Sequence, residues 1–197
     1  MPRLQLNKSS LAREQASLAS YERFLPSLDL KRQQLMAERA RARAEVKRLE
    51  DQVADLARQV GRDVPMLANE SVRLDGLVRL ADVRLTTENV VGTKVPALEA
   101  IEVEVRPYSR FAKPHWVDQV ARLLHDMLEA RVRVDVARKR LALLDRAVDT
   151  VTQRVNLFEK VLIPNARANI KRIRVYLSDE EMQAVVRSKI SKRKRAA

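Results

Sequence analysis

The residue types that could support catalysis or metal binding are few in this sequence. It has no cysteine, which excludes disulfide bonds, thiolate metal sites and a cysteine nucleophile. Its two histidines are His115 and His125. His125 and Glu129 stand four residues apart and would share one face of a helix, but two ligands do not complete a zinc site. We therefore predict a solvated helix face at this position, with no metal ion and no cofactor.

A phosphate-binding loop is the other chemistry to test, because Gly92, Thr93 and Lys94 are consecutive. Such a loop needs several glycines before the lysine and a hydroxyl residue after it. Here no other glycine is near and Val95 follows the lysine, so a tight turn between strands is the better interpretation. The acidic residues are spread like ordinary helix-surface charge and form no recognisable triad or carboxylate pair. The sequence predicts a chain without catalytic residues, which is not an enzyme.

The composition is that of long helices rather than of a rounded globular domain. Of the 197 residues, 33% are charged, only 4% are aromatic and 3 are glycine. Such a chain buries a narrow seam along its length. We find no apolar run that resembles a signal peptide, and none near the roughly 20 apolar residues that cross a bilayer. Since cysteine is also lacking, we expect a cytoplasmic protein that does not insert directly into a membrane.

Apolar residues recur at heptad spacing in both halves of the chain. The first half contains the series Leu4, Leu11, Leu18, Leu25, Arg32, Arg39, Val46, Val53 and Val60, and the series Tyr21, Leu28, Leu35, Ala42, Leu49 and Leu56. The second half contains Val120, Met127, Val134, Leu141, Val148, Val155 and Leu162, and also Trp116, Leu123, Ala130, Ala137, Leu144, Val151 and Phe158. The simplest cover for one stripe is the other half folded back upon it. Pairing residues whose numbers sum to about 190, to within a heptad, makes the two stripes meet in antiparallel orientation.

The stretch around the fold-back is predicted to form strands. In residues 83–107 apolar and polar residues alternate and β-branched residues are enriched, which is typical of a β-hairpin. We therefore predict an all-α fold, a long antiparallel two-helix coiled coil with a small β-hairpin at the fold-back end. Its parts are a long N-terminal helix over residues 1–65, a connection over 66–114 with the hairpin at about 83–107, and a long C-terminal helix with a basic tail over 115–197. Residues 66–82 are expected to be a short helix or an irregular connection.

Two prolines, Pro26 and Pro164, lie inside the helical patterns. Each removes a backbone hydrogen bond and is predicted to kink its helix. Around Pro164 the apolar spacing slips by one residue, to Ile163, Ile170, Ile173 and Leu177.

Arg32 and Arg39 hold seam positions that should be apolar. Two interpretations remain open. Either their stems pack in the seam while their guanidinium groups reach solvent or nearby acids such as Glu38, or the seam opens there to admit an element of another protein.

The formal net charge of +13 is concentrated at the C-terminal end. The last eleven residues contain six cations and no acid: Arg187, Lys189, Lys192, Arg193, Lys194 and Arg195. A solvated tail, a contact with nucleic acid and insertion into an acidic or polar protein socket all fit this charge. No aromatic side chains are interleaved with the cations, as nucleic-acid binding would favour.

The segment RVNLFEKVLIPNARANIKRI, residues 154–173, resembles the D subunits of V-type and archaeal-type (A-type) rotary ATPases. That family has an RVN-x-x-E-x-V-x-IP motif before its final helix, which this sequence matches at Arg154, Val155, Asn156, Glu159, Val161, Ile163 and Pro164. Residues 88–99, ENVVGTKVPALE, are similar to the family's hairpin segment through Asn89, Val90, Gly92 and Pro96. LNKSSL near the N-terminus and LDLKRQQL at residues 28–35 look like the family's opening helix. Many members have a longer charged helix after the last motif, so we predict a short C-terminal helix.

The resemblance implies a rotor axle, the central stalk that couples ATP hydrolysis or synthesis to rotation and ion transport. In this family both termini project into a ring of catalytic A and non-catalytic B subunits. The small F subunit binds beside the coiled coil, and the hairpin end docks to the membrane rotor through a funnel-shaped protein. Ring contacts are then expected from a set of basic residues: Lys8, Arg13, Arg187, Lys189, Lys192, Arg193, Lys194 and Arg195.

The resemblance further implies a chain that is cytoplasmic, is peripheral to the membrane through the complex, and binds no nucleic acid. Two alternatives from other classes remain: a basic coiled-coil arm that binds nucleic acid, and a prefoldin-like chaperone built from two helices and β-hairpins.

Overall fold

Long helices and one β-hairpin make up the part of the chain that the computed structural model describes, residues 5–68, 74–109 and 113–196. In chain order the elements are α1 (Lys8–Asp63), a 3-10 helix (Pro65–Ala68), β1 (Val78–Val90), β2 (Thr93–Val105), α2 (Val117–Leu157), a π-helical segment (Phe158–Leu162) and α3 (Ile163–Ala196). The predicted fold class, a mainly helical chain with an antiparallel two-stranded hairpin, is confirmed. Leu4, the first predicted seam residue, lies outside the described residues.

Helix α1 runs for 56 residues, and Asn7 caps its first turn. The Ser10 N–H donates to the side-chain oxygen of Asn7 at 2.7 Å, and the Leu11 N–H donates to the Asn7 carbonyl at 3.0 Å. An asparagine in this place satisfies amides that have no partner within the helix. Pro26 lies inside α1, and the helix continues on both sides of it.

The chain divides into two compact units. Met1–Arg32 together with Thr150–Ala197 is called the terminal unit here, and Gln33–Asp149 the hairpin unit. Both α1 and α2 contribute residues to each unit, because the boundaries fall within these helices.

In the terminal unit, the first half of α1 runs antiparallel to α3. Lys8 lies 3.7 Å from Glu181, and Glu22 lies 2.7 Å from Arg167. Residue numbers therefore fall along α3 as they rise along α1. The numbers 8 and 181 sum to 189, as do 22 and 167, which agrees with the predicted register.

The seam of the terminal unit is closed by aromatic and aliphatic side chains. The rings of Tyr21 and Phe158 pack edge to face with centroids 5.5 Å apart. The buried aliphatic residues are Val151, Val155, Ile163, Ala166, Ile170 and Ile173. The last four follow the shifted spacing around Pro164.

In the hairpin unit, the second half of α1 runs antiparallel to α2. Glu50 bonds to Arg138 at 2.6 Å, and Arg39 lies 3.8 Å from Asp145. The buried seam residues are Leu35, Val46, Leu49, Val120, Ala130, Val134, Leu144 and Val148. None of the predicted seam residues that the structure describes is exposed. The predicted antiparallel pairing is confirmed within each unit.

The hairpin covers the face of α2 that points away from the seam. The apolar residues on that face, which are half-buried, are Leu128, Val132, Val136 and Leu143. In a bare two-helix coiled coil these positions would face solvent. An ion pair of 2.7 Å between Glu88 of β1 and Arg140 of α2, together with the packing of Leu77 on Val117 and Ala121, indicates that the hairpin runs along this face. This third layer was not predicted from the sequence.

The base of the hairpin is anchored to the start of α2. Leu77, Val117 and Ala121 form a buried cluster, against which Leu74, Val78, Tyr108 and Trp116 pack. The Arg106 N–H donates to the Leu77 carbonyl at 2.8 Å and closes the two ends of the hairpin. Trp116, predicted as a seam residue, thus contributes to this cluster.

Each strand has 13 residues, and β1 begins at Val78 rather than near residue 83. Residues 78–82, expected in a short helix or irregular connection, therefore belong to the sheet, which is a correction. The register shifts at two bulges, one between Leu80 and Asp82 of β1 and one opposite Arg84 and Leu85. A bulge interrupts the period-two alternation, so the pattern concealed the first residues of β1.

Candidate functional site

The hairpin turn is a two-residue turn at Val91 and Gly92. Both residues have left-handed backbones, with φ of 51° and 78°. This is the geometry of a type I′ turn, which matches the twist of antiparallel strands. Glycine accepts it freely, but a β-branched residue such as Val91 is strained there. Thr93 and Lys94 already belong to β2, so the glycine-lysine segment forms a turn and a strand and no phosphate loop.

The other two hairpin residues of the family motif lie in the strands. Asn89 pairs with Lys94, and Pro96 pairs with Thr87. A two-stranded sheet consists only of edge strands, where a proline is tolerated because its missing N–H is not required by a further strand.

A cluster of potential metal ligands lies on α2. The ligand atoms of His125, Asp126 and Glu129 are within 4.8 Å of one another. The Arg133 guanidinium donates a hydrogen bond to Glu129, and His125 Nδ1 lies 3.4 Å from an Asp126 oxygen. These contacts are typical of charged residues on a helix surface. Arg133 already neutralises the carboxylate of Glu129, which a metal ion would need as a ligand. His115 is exposed ahead of α2 and does not join the cluster.

The seam arginines contact acidic residues. Arg32 lies 2.9 Å from the Asp29 Oδ1, which is buried and has no partner in hydrogen-bond geometry. Arg39 reaches Asp145 of α2, and not Glu38, whose partner is Arg41. Both arginine side chains are about one-third exposed, as expected when the stem packs and the charged group reaches outward. Within this chain the two arginines are therefore arranged as the first interpretation expects, and entry of an element of another protein stays a prediction.

Several acidic residues on the outer face of α1 pair with an arginine one turn further along. Arg48 donates hydrogen bonds of 2.6 and 3.0 Å to the two oxygens of Glu45. These bonds hold the pKa of Glu45 below its ordinary value, although partial desolvation opposes them. The same pairing raises the pKa of Arg48. Glu38 with Arg41 and Asp55 with Arg58 repeat the arrangement.

The residues of the RVN…IP motif surround the π-helical segment. Val155 and Ile163 are buried, Asn156 is half-buried, and Arg154, Glu159 and Pro164 are exposed. The Ile163 N–H donates to the Phe158 carbonyl, five residues earlier. A π turn contains one extra residue, and here it leaves room for the ring of Pro164, which would clash with the carbonyl four residues before it in an α-helix. The extra residue also explains why the apolar spacing slips by one.

The basic residues proposed for ring contact lie at the two ends of the terminal unit's helices. Lys8 is exposed and close to Glu181, and Arg13 is exposed one turn further along α1. The remaining six lie in the last three turns of α3, and all are exposed: Arg187, Lys189, Lys192, Arg193, Lys194 and Arg195. Sequence reasoning missed the exposed apolar residues that share this stretch: Met182, Val185, Val186 and Ile190.

None of the helices within the described residues combines the length and apolar character needed to span a membrane.

Comparison with known proteins identifies the class of protein to which this fold belongs. The family of ATP synthase D subunits matches residues 10–193. The D subunit of the V-type ATP synthase of Borreliella burgdorferi is 34% identical over 194 residues, which cover 98% of this chain and 95% of the relative. The D subunit of the V-type ATP synthase of Chlamydia felis is 31% identical over 194 residues, which cover 97% of this chain and 93% of the relative.

The chain belongs to this family, the D subunits of ATP synthases. The resemblance and the role within a rotary ATPase predicted from the sequence are thereby confirmed. The comparisons offer no support for a nucleic-acid-binding arm or a prefoldin-like chaperone.

Proposed function

We propose that this chain is the central stalk, or rotor axle, of a V/A-type rotary ATPase or ATP synthase. It would couple ATP hydrolysis or synthesis in a catalytic ring to rotation and ion transport, and would supply no catalytic group itself. Family membership supports its place in the complex. The paired antiparallel helices of each unit support a mechanical role, because a continuous packed seam resists twisting better than loops do.

The observation that best supports this proposal is the exposed C-terminal part of α3, residues 182–195. Helix α3 continues after Glu181, which contacts Lys8, and every side chain from Met182 to Arg195 is exposed. A short helix without tertiary packing is marginally stable in water. Its apolar row of Met182, Val186 and Ile190 therefore needs a partner to cover it.

We assign this partner to the ring of catalytic A and non-catalytic B subunits, contacted by Lys8, Arg13 and the six cations of the tail. Exposed ion pairs contribute about 0–1 kcal/mol each. Weak, exchangeable contacts of this kind suit a surface that must turn against its neighbours. The small F subunit would bind along the coiled coil, and the funnel-shaped rotor protein would bind at the hairpin end. The chain would thus be cytoplasmic and peripheral to the membrane.

We also propose that Pro26 and Pro164 make the axle eccentric. The π turn before Pro164 supports a bend there, because π turns and prolines are the usual causes of sharp helix kinks. An eccentric axle would present different surfaces to the ring at each angle, so that rotation and catalytic state become coupled. Replacing both prolines, Pro26→Ala with Pro164→Ala, should lower the torque in a single-molecule rotation assay. Unchanged torque would contradict the eccentric axle.

The stalk role is tested by purifying the tagged full chain from its source. We expect the large ATPase subunits to co-purify, whereas RNA or a self-assembled hexamer would favour the alternative functions. Deleting residues 191–197 should weaken ring assembly modestly, since Met182, Val186 and Ile190 remain.

A further inference from the structure

A shallow groove runs between α1 and α3 in the terminal unit. Its volume is about 460 Å³. Leu18, Ala19 and Ile170 contribute apolar surface to it, and Arg167, Lys171 and Arg174 contribute positive charge. The small side chain of Ala19 leaves space for an incoming element to approach the α1 backbone.

The positive charge of this groove is only partly compensated. Arg167 bonds to Glu22 across the groove at 2.7 Å. Lys171 and Arg174 are exposed and form no ion pair or side-chain hydrogen bond with any residue that the structure describes. Lys171 and Arg174 therefore leave uncompensated positive charge beside the apolar surface of the groove, which favours an anionic partner.

A corresponding groove in the hairpin unit serves as an internal control. It has a volume of about 420 Å³ and lies between α1 and α2. Its charged residues are Glu50, Arg131, Asp135 and Arg138, two acids and two bases, and Glu50 bonds to Arg138 across it. An unbalanced positive groove is therefore not a general property of paired helices in this chain.

We propose that the groove of the terminal unit binds an acidic amphipathic helix of another protein of the complex. The apolar side of that helix would pack on Leu18, Ala19 and Ile170, and carboxylates on its flank would pair with Lys171 and Arg174. That the helix belongs to the same complex rests on the proposed function. That it is acidic and amphipathic rests only on the residues that line the groove.

A protein helix fits this surface better than a nucleic acid. Two packed helices leave a furrow in which a third helix lies at an interaxial distance of about 8–10 Å. No aromatic side chain lines the groove, so bases would have no platform for stacking. The basic tail of α3 is a separate surface, since Asp179, Glu180 and Glu181 lie between it and the groove.

Photo-crosslinking in the assembled complex locates the partner. A benzoylphenylalanine introduced at Ala19 of the full chain should crosslink to one ring or stalk protein, and mass spectrometry should place the link in an acidic helical segment. The same probe at Ala16, an exposed residue of α1 that does not line the groove, should not give that product. A link to a segment without acidic residues, or to a second copy of this chain, would overturn the proposal.

Charge reversal tests the chemistry with a neighbouring residue as control. Lys171→Glu with Arg174→Glu should weaken binding of the chain to the purified ring and stalk proteins by about tenfold, because two exposed pairs are lost and replaced by repulsion. Arg172→Glu makes the same kind of change at an exposed residue outside the groove, and should weaken it less than about twofold. Equal losses at both places would show a general charge effect and would contradict a groove.

A steric variant keeps the test independent of charge. Ala19→Trp should block the groove and weaken binding, while Ala16→Trp should not. If the groove variants instead reduced binding of a labelled single-stranded RNA and left the complex intact, the groove would be a nucleic-acid surface. If the wild-type chain did not assemble with any ATPase protein, the stalk role would fail, which is a different outcome from assembly that the groove variants leave unchanged.

Discussion

The hairpin unit and the terminal unit share one pattern of antiparallel helices, but they differ in what covers their outer surfaces. In the hairpin unit β1 and β2 lie on the outer face of α2, and 21 basic residues are balanced by 19 acidic ones. The terminal unit contains 18 basic and 7 acidic residues, so it carries +11 of the net charge of +13.

Exposed apolar surface follows the same division. Among the described residues, ten of the sixteen exposed large apolar side chains belong to the terminal unit, although the two segments that form it have only 32 and 48 residues. Exposed apolar groups next to unbalanced charge mark a surface that another molecule completes. The hairpin unit thus covers much of its own apolar surface, whereas the cover that we propose for the terminal unit comes from partners.

The largest expected effect is on the core of the hairpin unit. Leu144→Ala removes a side chain that is 1% exposed and should lower the free energy of unfolding by about 2–5 kcal/mol, because a cavity replaces packed atoms. Chemical denaturation of the isolated chain measures this. Leu157→Ala, at a residue of the terminal unit that is 46% exposed, should change it by less than about 0.5 kcal/mol. Similar losses would mean that the terminal unit also closes its surface without partners.

Relieving the strain of the hairpin turn should have the opposite effect and raise the free energy of unfolding. Val91→Asn places in the turn a residue that tolerates a left-handed backbone, and should raise the free energy of unfolding by about 1 kcal/mol. Val91→Ala keeps a Cβ and most of the strain, so it should gain less. A loss of stability with asparagine would show that the packing of half-buried Val91 outweighs its backbone strain.

The ion pair that ties the hairpin to α2 should contribute less. Glu88→Gln should cost about 0.5 kcal/mol, because both partners are partly exposed. Faster amide hydrogen exchange near the hairpin turn is the sensitive measurement. Glu99→Gln changes an exposed hairpin carboxylate for which the structure shows no such pair, and should leave exchange unaltered. If both variants behaved alike, apolar packing alone would hold the hairpin on α2.

The smallest expected effect is the pH dependence from Glu45. Its pKa is lower in the folded chain than in the unfolded chain, so its contribution is complete above the unfolded value and disappears as the pH falls through the folded value. Thermal melts of Glu45→Gln and the wild type should differ slightly at neutral pH and converge in acid. Asp51→Asn, at an exposed residue, serves as the control. A difference that grew in acid would contradict the assigned direction.

The antiparallel seam was predictable because its signal is repeated many times. Every heptad position from Leu11 to Leu162 marks the side of its helix that faces the antiparallel partner helix. An irregular residue such as Arg39 does not obscure a pattern repeated so often. The third layer was not predicted, because the apolar residues on the outer face of α2 are fewer and were outside the heptad series. Only the pairing of Glu88 with Arg140 shows which element covers them.

The positive groove of the terminal unit could not be predicted from the sequence, because its charge depends on which residues pair across long distances in the chain. Lys171 and Arg174 look like ordinary helix charge until Arg167 is seen to take the nearby acid, Glu22. The sequence did carry a signal of the π turn, the one-residue shift in apolar spacing around Pro164. Such a shift does not tell a π turn from a proline kink.

That π turn determines which side of α3 is available to other molecules. Because it accommodates one extra residue, every residue after it lies about 100° around the helix axis from where a regular α-helix of the same sequence would place it. Ile163, Ile170 and Ile173 face α1 only because of this rotation, and Lys171 and Arg174 are carried round with them. Removing one residue between Phe158 and Leu162 would therefore let an unbroken α-helix keep the same residues facing α1. A regular α-helix of unchanged length would instead turn the seam residues of α3 about 100° away from α1, so the extra residue and the π turn must be gained or lost together.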